Sequence, residues 1–302
     1  MTAFHPDLTW HARLIPRLSF GPRMVSFMRR LAPRDPAPVT SNGIRGSLHD
    51  IPGATTARVF EPEKATQPRA AMLYVHGGGY IIGSPGQCDG FGRMFARDLG
   101  ITVVLPTYRL APEHPFPAAI DDLYAALKWM HTNAESLGVR RDRIVIAGQS
   151  AGGGLAAALT LMARDRGEIP VAFQLLVYPM LDDRTVLKNI DGANHRMWSA
   201  ESNRFGWASY LGREPGSDGI SPYAAAARAE SLAGLPPTWI GVGTNDLFHD
   251  EDLEYARRLE AAGVPVDLEV VPGAFHGFDV FGGTGVARAF GARQVDALRR
   301  VL

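Results

Sequence analysis

The chain has 302 residues, room for one large domain or two ordinary ones, and can bury a core without disulfide or metal staples. Its 31 basic and 31 acidic side chains leave no net charge, which argues against a general nucleic-acid binder. A single cysteine, Cys88, excludes an intramolecular disulfide and a cysteine-built zinc site, and no apolar run has the roughly 18 residues of a membrane span.

Residues 1–34 carry Arg13, Arg17, Arg23, Arg29, Arg30 and Arg34 against one acid, Asp7. They lack the compact apolar stretch and cleavage site of a secretory signal, so a cytoplasmic location is the default. Phe20, Met24, Phe27, Met28 and Leu31 recur at helical spacing, predicting an amphipathic helix with this stripe on the body and its arginines in water. The proline-rich stretch 32–38 reads as a hinge.

From residue 57 on, strand-like runs alternate with helical patterns. Strands are predicted at 57–60, 71–75, 101–106, 143–147, 173–178, 238–242 and 267–271. Helices are predicted near 88–99, 117–136, 151–165, 250–262 and 285–301. Several runs are continuously apolar, as in strands covered on both faces, so the fold class is α/β with a mostly parallel sheet. About sixty residues separate the strands ending at 178 and starting at 238. The interval therefore predicts an inserted helical piece, with aromatic residues over 198–211, lying as a lid over the carboxyl ends of the strands.

Gly148-Gln149-Ser150-Ala151-Gly152 falls between a predicted strand and an Ala/Leu-rich helix. This is the G-x-S-x-G nucleophile pattern in its required strand–turn–helix context, with Ser150 as nucleophile and the Ala151 N–H aimed at a developing oxyanion. His76-Gly77-Gly78-Gly79-Tyr80 ends another strand. Glycines there free backbone amides for close approach, and HGGG is an oxyanion-loop motif. His76 itself reads as an anchor of the loop. Only His195, His249 and His276 follow Ser150, and His276 sits just past a strand end, where a general base is needed. For the orienting carboxylate, Asp246 is the first acid beyond its strand, with Asp250 as competitor. Cys88 reads as a packing residue. Ester or amide cleavage and a non-catalytic small-molecule receptor are all compatible with the fold; the retained His276 favours an enzyme.

Together these segments resemble the hormone-sensitive lipase-like bacterial esterases of the α/β-hydrolase superfamily. The likeness also runs through Tyr108-Arg109-Leu110-Ala111-Pro112-Glu113-His114-Pro115, Tyr178-Pro179-Met180-Leu181-Asp182-Asp183, Ser221-Pro222-Tyr223, Asp250-Glu251 and His276-Gly277-Phe278. The resemblance implies a Ser150–Asp246–His276 triad, oxyanion amides from Gly77, Gly78 and Ala151, and short- to medium-chain ester substrates. It also implies a cap built from two pieces, 1–45 and 183–220, over a catalytic domain of 46–182 and 221–302. Candidate substrate contacts are Phe20, Met24, Tyr80, Trp198 and Phe205. The expected partner is a small-molecule ester, with no nucleic acid, no stable membrane anchor, and a homodimer left open; the chemistry calls for no cofactor or metal. One departure is Gln149, where the family usually has an acidic residue before the nucleophile.

Overall fold

The computed structural model describes residues 3–16, 19–31, 35–53, 55–64 and 68–302. The strands are β1 (Ile44–Asp50), β2 (Thr56–Pro62), β3 (Arg69–Val75), β4 (Thr102–Pro106), β5 (Val139–Gln149), β6 (Phe173–Val177), β7 (Thr238–Asn245) and β8 (Val266–Phe275). They form one sheet in the order β1-β2-β4-β3-β5-β6-β7-β8. β1 and β2 pair antiparallel, as do β2 and β4, and every other neighbour pair is parallel. The helices are α1 (Thr9–Leu14), α2 (Pro22–Leu31), α3 (Asp89–Leu99), α4 (Ala118–Thr132), α5 (Ala151–Arg166), α6 (Ala200–Leu211), α7 (His249–Ala261) and α8 (Gly285–Arg299). Among the described residues, no helix is long and apolar enough to cross a membrane.

Successive side chains of β3 point to opposite faces, so its residues divide between two cores. Ala71, Leu73 and Val75 join one with α4, α5 and α7; Met72 and Tyr74 join the other with α3 and α8. Both faces being covered accounts for the continuous apolar runs in the central strands. α5 is buried along almost its whole length, so it shows little amphipathic signal; Gly167 in the left-handed region ends it. The chain crosses from β3 to β4 on one side and from β4 to β5 on the other. The crevice at the carboxyl ends of β3 and β5 is therefore the topological switch point, where open α/β sheets bind ligands.

Two elements go beyond the sequence reading. β1 is an antiparallel edge strand of mostly polar residues with only Ile44 buried, and it spans the expected domain boundary at residue 45. α1 and the turn before it place Ala12 and Leu8 in the same core as Phe275 and Phe278.

The orientation expected for the N-terminal helix is corrected. In α2 only Val25 is buried; Phe27 and Leu31 are 60% and 65% exposed, and Met28 is exposed as well. Arg29 turns inward instead, donating from Nε to the Ile81 carbonyl at 2.7 Å, to the Ala111 carbonyl, and to Glu113 at 2.6 Å. Three well-placed acceptors outweigh the apolar stripe in setting the helix rotation. Arg13, Arg23 and Arg30 are exposed, and Arg17 and Arg34 lie outside the described residues. Part of the expected hinge, 32–34, also lies outside them. Beyond it the chain is tied down: the Asp35 carboxylate accepts from Ser84 Oγ at 2.7 Å and from the Gly86 N–H at 2.8 Å.

Candidate active site

β5 ends at Gln149, and the chain turns into α5 through Ser150, whose φ of +56° lies in a region rare for residues with a side chain. The strain is held by hydrogen bonds on both sides. The Ser150 N–H donates to Val177 O at 2.9 Å, and its carbonyl accepts from the Gly154 and Met180 N–H groups at 3.0 Å each. A Cβ on Gly148 would overlap the Gly152 carbonyl, so the turn requires glycine there. The result places the Ser150 hydroxyl at the N-terminal, positive end of α5, beside the Ala151 N–H.

The loop after β3 meets this turn. A Cβ on Gly77 would stand 3.2 Å from the Ser150 Cβ, so backbone and nucleophile are adjacent. Gly78 has a φ of +124°, and its carbonyl accepts from the Ile81 and Ile82 N–H groups at 3.0 Å each, folding the loop back on itself. His76 faces inward: its Nδ1 bonds the Gly77 carbonyl at 2.8 Å, and its ring stacks on Tyr108 with centroids 4.3 Å apart. Burial lowers its pKa to about 4, so it is a neutral strut under the loop.

The third element is the end of β8. His276 Nε2 lies 2.8 Å from Ser150 Oγ, and His276 Nδ1 lies 2.8 Å from Asp246 Oδ2. The other Asp246 oxygen accepts the Phe248 N–H at 3.0 Å. All three side chains are buried, and the rings of Tyr178 and Phe248 flank His276 edge-on with centroids 4.7 and 5.2 Å away. The structure thus brings Ser150, His276 and Asp246 into one chain of hydrogen bonds. Asp250 stays outside it, with its side chain 77% exposed and paired with His249.

Tyr74 donates to Gln149 Oε1 at 2.9 Å, so the neutral amide is held from within the sheet. Cys88 is buried, and burial pushes its thiol well above the usual range, in keeping with a packing residue.

Of the candidate substrate contacts, Trp198 lies against Gly79, where a Cβ would overlap its indole, and Phe20 stacks on Trp198 at 5.5 Å. Met24 and Phe205 are half-buried. Tyr80 is corrected: it is 1% exposed, its hydroxyl donates to the Met180 carbonyl at 3.1 Å, and its ring stacks on Tyr210 at 4.1 Å. It fastens α6 to the glycine loop and has no surface to offer a ligand. A cleft of about 320 Å³, lined by Ser19, Ile190, His195, Met197 and Trp198, adjoins this region. Met197 packs about 4.0 Å from the position of a Cβ on Gly277, next to His276.

Sequence reasoning gave no role to two buried acids that fasten the long segment between β6 and β7. Glu251 accepts from the Leu181 N–H at 2.7 Å, the Asp182 N–H at 3.2 Å and the Thr185 hydroxyl; burial raises its carboxyl to about 8. Asp183, fully buried, accepts from Arg228 Nε and Nη2 at 2.7 and 2.8 Å and from the Gly216 N–H at 2.6 Å. Within the run Asp250-Glu251-Asp252, Glu251 looks like an ordinary helix-start acid; only its packing distinguishes it.

A sheet of this order with a strained serine elbow, a glycine loop and a histidine at the strand ends defines an α/β-hydrolase. A family described as alpha/beta hydrolase fold matches residues 72–280. The chain is 34% identical over 292 residues to Esterase LipI of Mycobacterium tuberculosis, covering 95% of this chain and 91% of that protein. It is 37% identical over 259 residues to Carboxylesterase NlhH of the same organism, covering 84% and 80%. The solved structure of a bacterial heroin esterase superposes with a TM-score of 0.92 at 37% identity, covering 99% of this chain and 98% of that one. The chain belongs to the α/β-hydrolase family, among the hormone-sensitive lipase-like bacterial esterases, and is a carboxylic ester hydrolase.

Proposed function

We propose that the protein hydrolyses short- to medium-chain carboxylic esters by a two-step acyl transfer on Ser150. The observation that carries this reading is the position of His276, 2.8 Å from both Ser150 Oγ and Asp246 Oδ2. His276 takes the serine proton as Ser150 attacks the ester carbonyl, and Asp246 holds the imidazole tautomer and stabilises the imidazolium. The N–H groups of Gly77, Gly78 and Ala151 receive the oxyanion. His276 then protonates the departing alcohol and activates the water that releases the acid.

In this reading the catalytic domain comprises 46–182 and 221–302, capped by 1–45 and 183–220. Phe20, Met24, Trp198 and Phe205 supply the apolar wall. Stacking of Phe20 on Trp198 supports that arrangement, because it joins the two cap pieces beside Gly79.

The test is hydrolysis of a chromogenic ester series by wild-type protein and Ser150→Ala. The substitution lowers kcat on the order of 10⁶-fold, as in other serine hydrolases. Activity peaks at short to medium acyl chains. Substantial turnover by Ser150→Ala overturns the nucleophile assignment, and preference for the matching anilides overturns the ester assignment.

A further inference from the structure

Beside the triad lies one more buried carboxyl group, Asp279, in the single 3-10 turn Phe278–Val280 that follows His276. Its Oδ1 accepts from the Tyr178 hydroxyl at 2.6 Å. The ring of that same tyrosine stands edge-on to His276, with centroids 4.7 Å apart and planes at 64°. One phenol therefore touches the histidine with its ring and the carboxyl with its oxygen. Tyr178 is held there at a cost: its φ is +36°, and its N–H is tied to Gly241 O at 2.7 Å.

We propose that Asp279 and Tyr178 form a positioning pair for His276, in which the carboxylate fixes the phenol ring against the imidazole and adds a second negative charge behind the imidazolium. The inference rests on His276 acting as the base for Ser150.

The surroundings agree with this role. The other titratable groups facing Asp279 from the sheet and the turn before α3 are Tyr74 and Cys88, and burial pushes both upward, so neither brings a competing charge. On balance burial raises the Asp279 carboxyl, and the Tyr178 O–H, the N–H groups of its own turn and the His276 charge act against that rise. On its outer side Asp279 lines a cleft of about 540 Å³ between α3 and α8. There Arg97, Arg288 and Arg299 outnumber Asp98 and Asp296 by one positive charge, which favours the ionised form of Asp279. Facing the triad from other elements are His195, which burial holds toward its neutral form, and from α7 Asp252 behind Asp246, which burial pushes upward.

The experiment is the pH profile of kcat/KM for Asp279→Asn, Tyr178→Phe and the double variant, with fluorophosphonate labelling of Ser150 followed in each. Removing a negative charge near an imidazolium lowers its pKa. The acidic limb of Asp279→Asn therefore moves to lower pH by about half to one unit, and kcat falls roughly three- to tenfold. Tyr178→Phe keeps the ring and strips the donor, so the Asp279 carboxyl protonates more readily and the limb moves the same way. The double variant shifts no further than Asp279→Asn alone. Limbs unchanged from wild type, or fully additive shifts, overturn the inference. Should Asp279→Asn fail to fold, Tyr178→Phe decides alone: a downward shift supports the pair and an unchanged limb rejects it. Absence of Ser150 labelling in wild-type protein would instead reject the acyl-transfer reading; normal labelling with an unmoved limb rejects only the positioning pair.

Discussion

Asp246 divides its two oxygens between His276 Nδ1 at 2.8 Å and the Phe248 N–H at 3.0 Å. The amide fixes the carboxylate plane, so the oxygen that meets the imidazole cannot rotate away. Asp246→Asn can keep this geometry only with the histidine in the wrong tautomer, and kcat is expected to fall on the order of 10⁴-fold. Asp250→Asn, on an exposed side chain, leaves kcat within a factor of about two. Steady-state kinetics of the two variants check the assignment; equal losses would contradict it.

Gln149 is a neutral residue adjoining the nucleophile. Gln149→Asp adds a negative charge near His276 and favours the imidazolium, so the acidic limb of the pH–rate profile moves to higher pH than in wild type. This is opposite in sign to the shift expected of Asp279→Asn. Identical acidic limbs in wild type and Gln149→Asp would refute it.

Arg29, and not the apolar stripe, anchors α2. Arg29→Gln is expected to lower stability by about 1–3 kcal/mol, because the Ile81 and Ala111 carbonyls lose a charged donor. Phe27→Ser and Leu31→Ser, at positions 60% and 65% exposed, stay within about 0.5 kcal/mol. Urea unfolding midpoints measure both; a larger loss at Phe27 than at Arg29 would restore the opposite orientation.

Glu251 sets a pH dependence of stability. Its carboxyl titrates near 8 in the folded protein against 4.5 in an unperturbed chain. Between those values the folded state binds the extra proton, so stability falls as pH rises through this window. Burial moves the neighbouring Asp252 in the same direction. In Glu251→Gln the decline between pH 5 and pH 8 is shallower than in wild type. Urea midpoints across that range test it, and parallel slopes for the two proteins would count against it.

The parallel strands and the nucleophile elbow are legible because their signals are local. Buried runs such as Ile144–Ala147 carry their own hydrophobicity, and Gly148 answers a steric demand within five residues. His276 and Asp246 are legible by position, since chain order and strand ends restrict the choices. β1 escapes because an edge strand exposed on one side needs little apolar content. The rotation of α2 is misread because Arg29 finds its acceptors on residues 52 and 82 positions away. Tyr80 is misassigned for a similar reason: its partners, Met180 and Tyr210, come from distant segments.

Asp183 joins Arg228 to the Gly216 N–H at the point where the insertion leaves and rejoins the sheet, and Glu251 pins the approach at Leu181 and Asp182. An insertion riveted at both feet works as an arch and not as a flap. The 19–31 segment is tied to that arch by the Ser19 hydroxyl on Glu201, the Phe20 N–H on Ser202 Oγ and the Phe20 ring on Trp198. Arch and N-terminal segment therefore brace one another, each fastened to its neighbour as well as to the body of the protein.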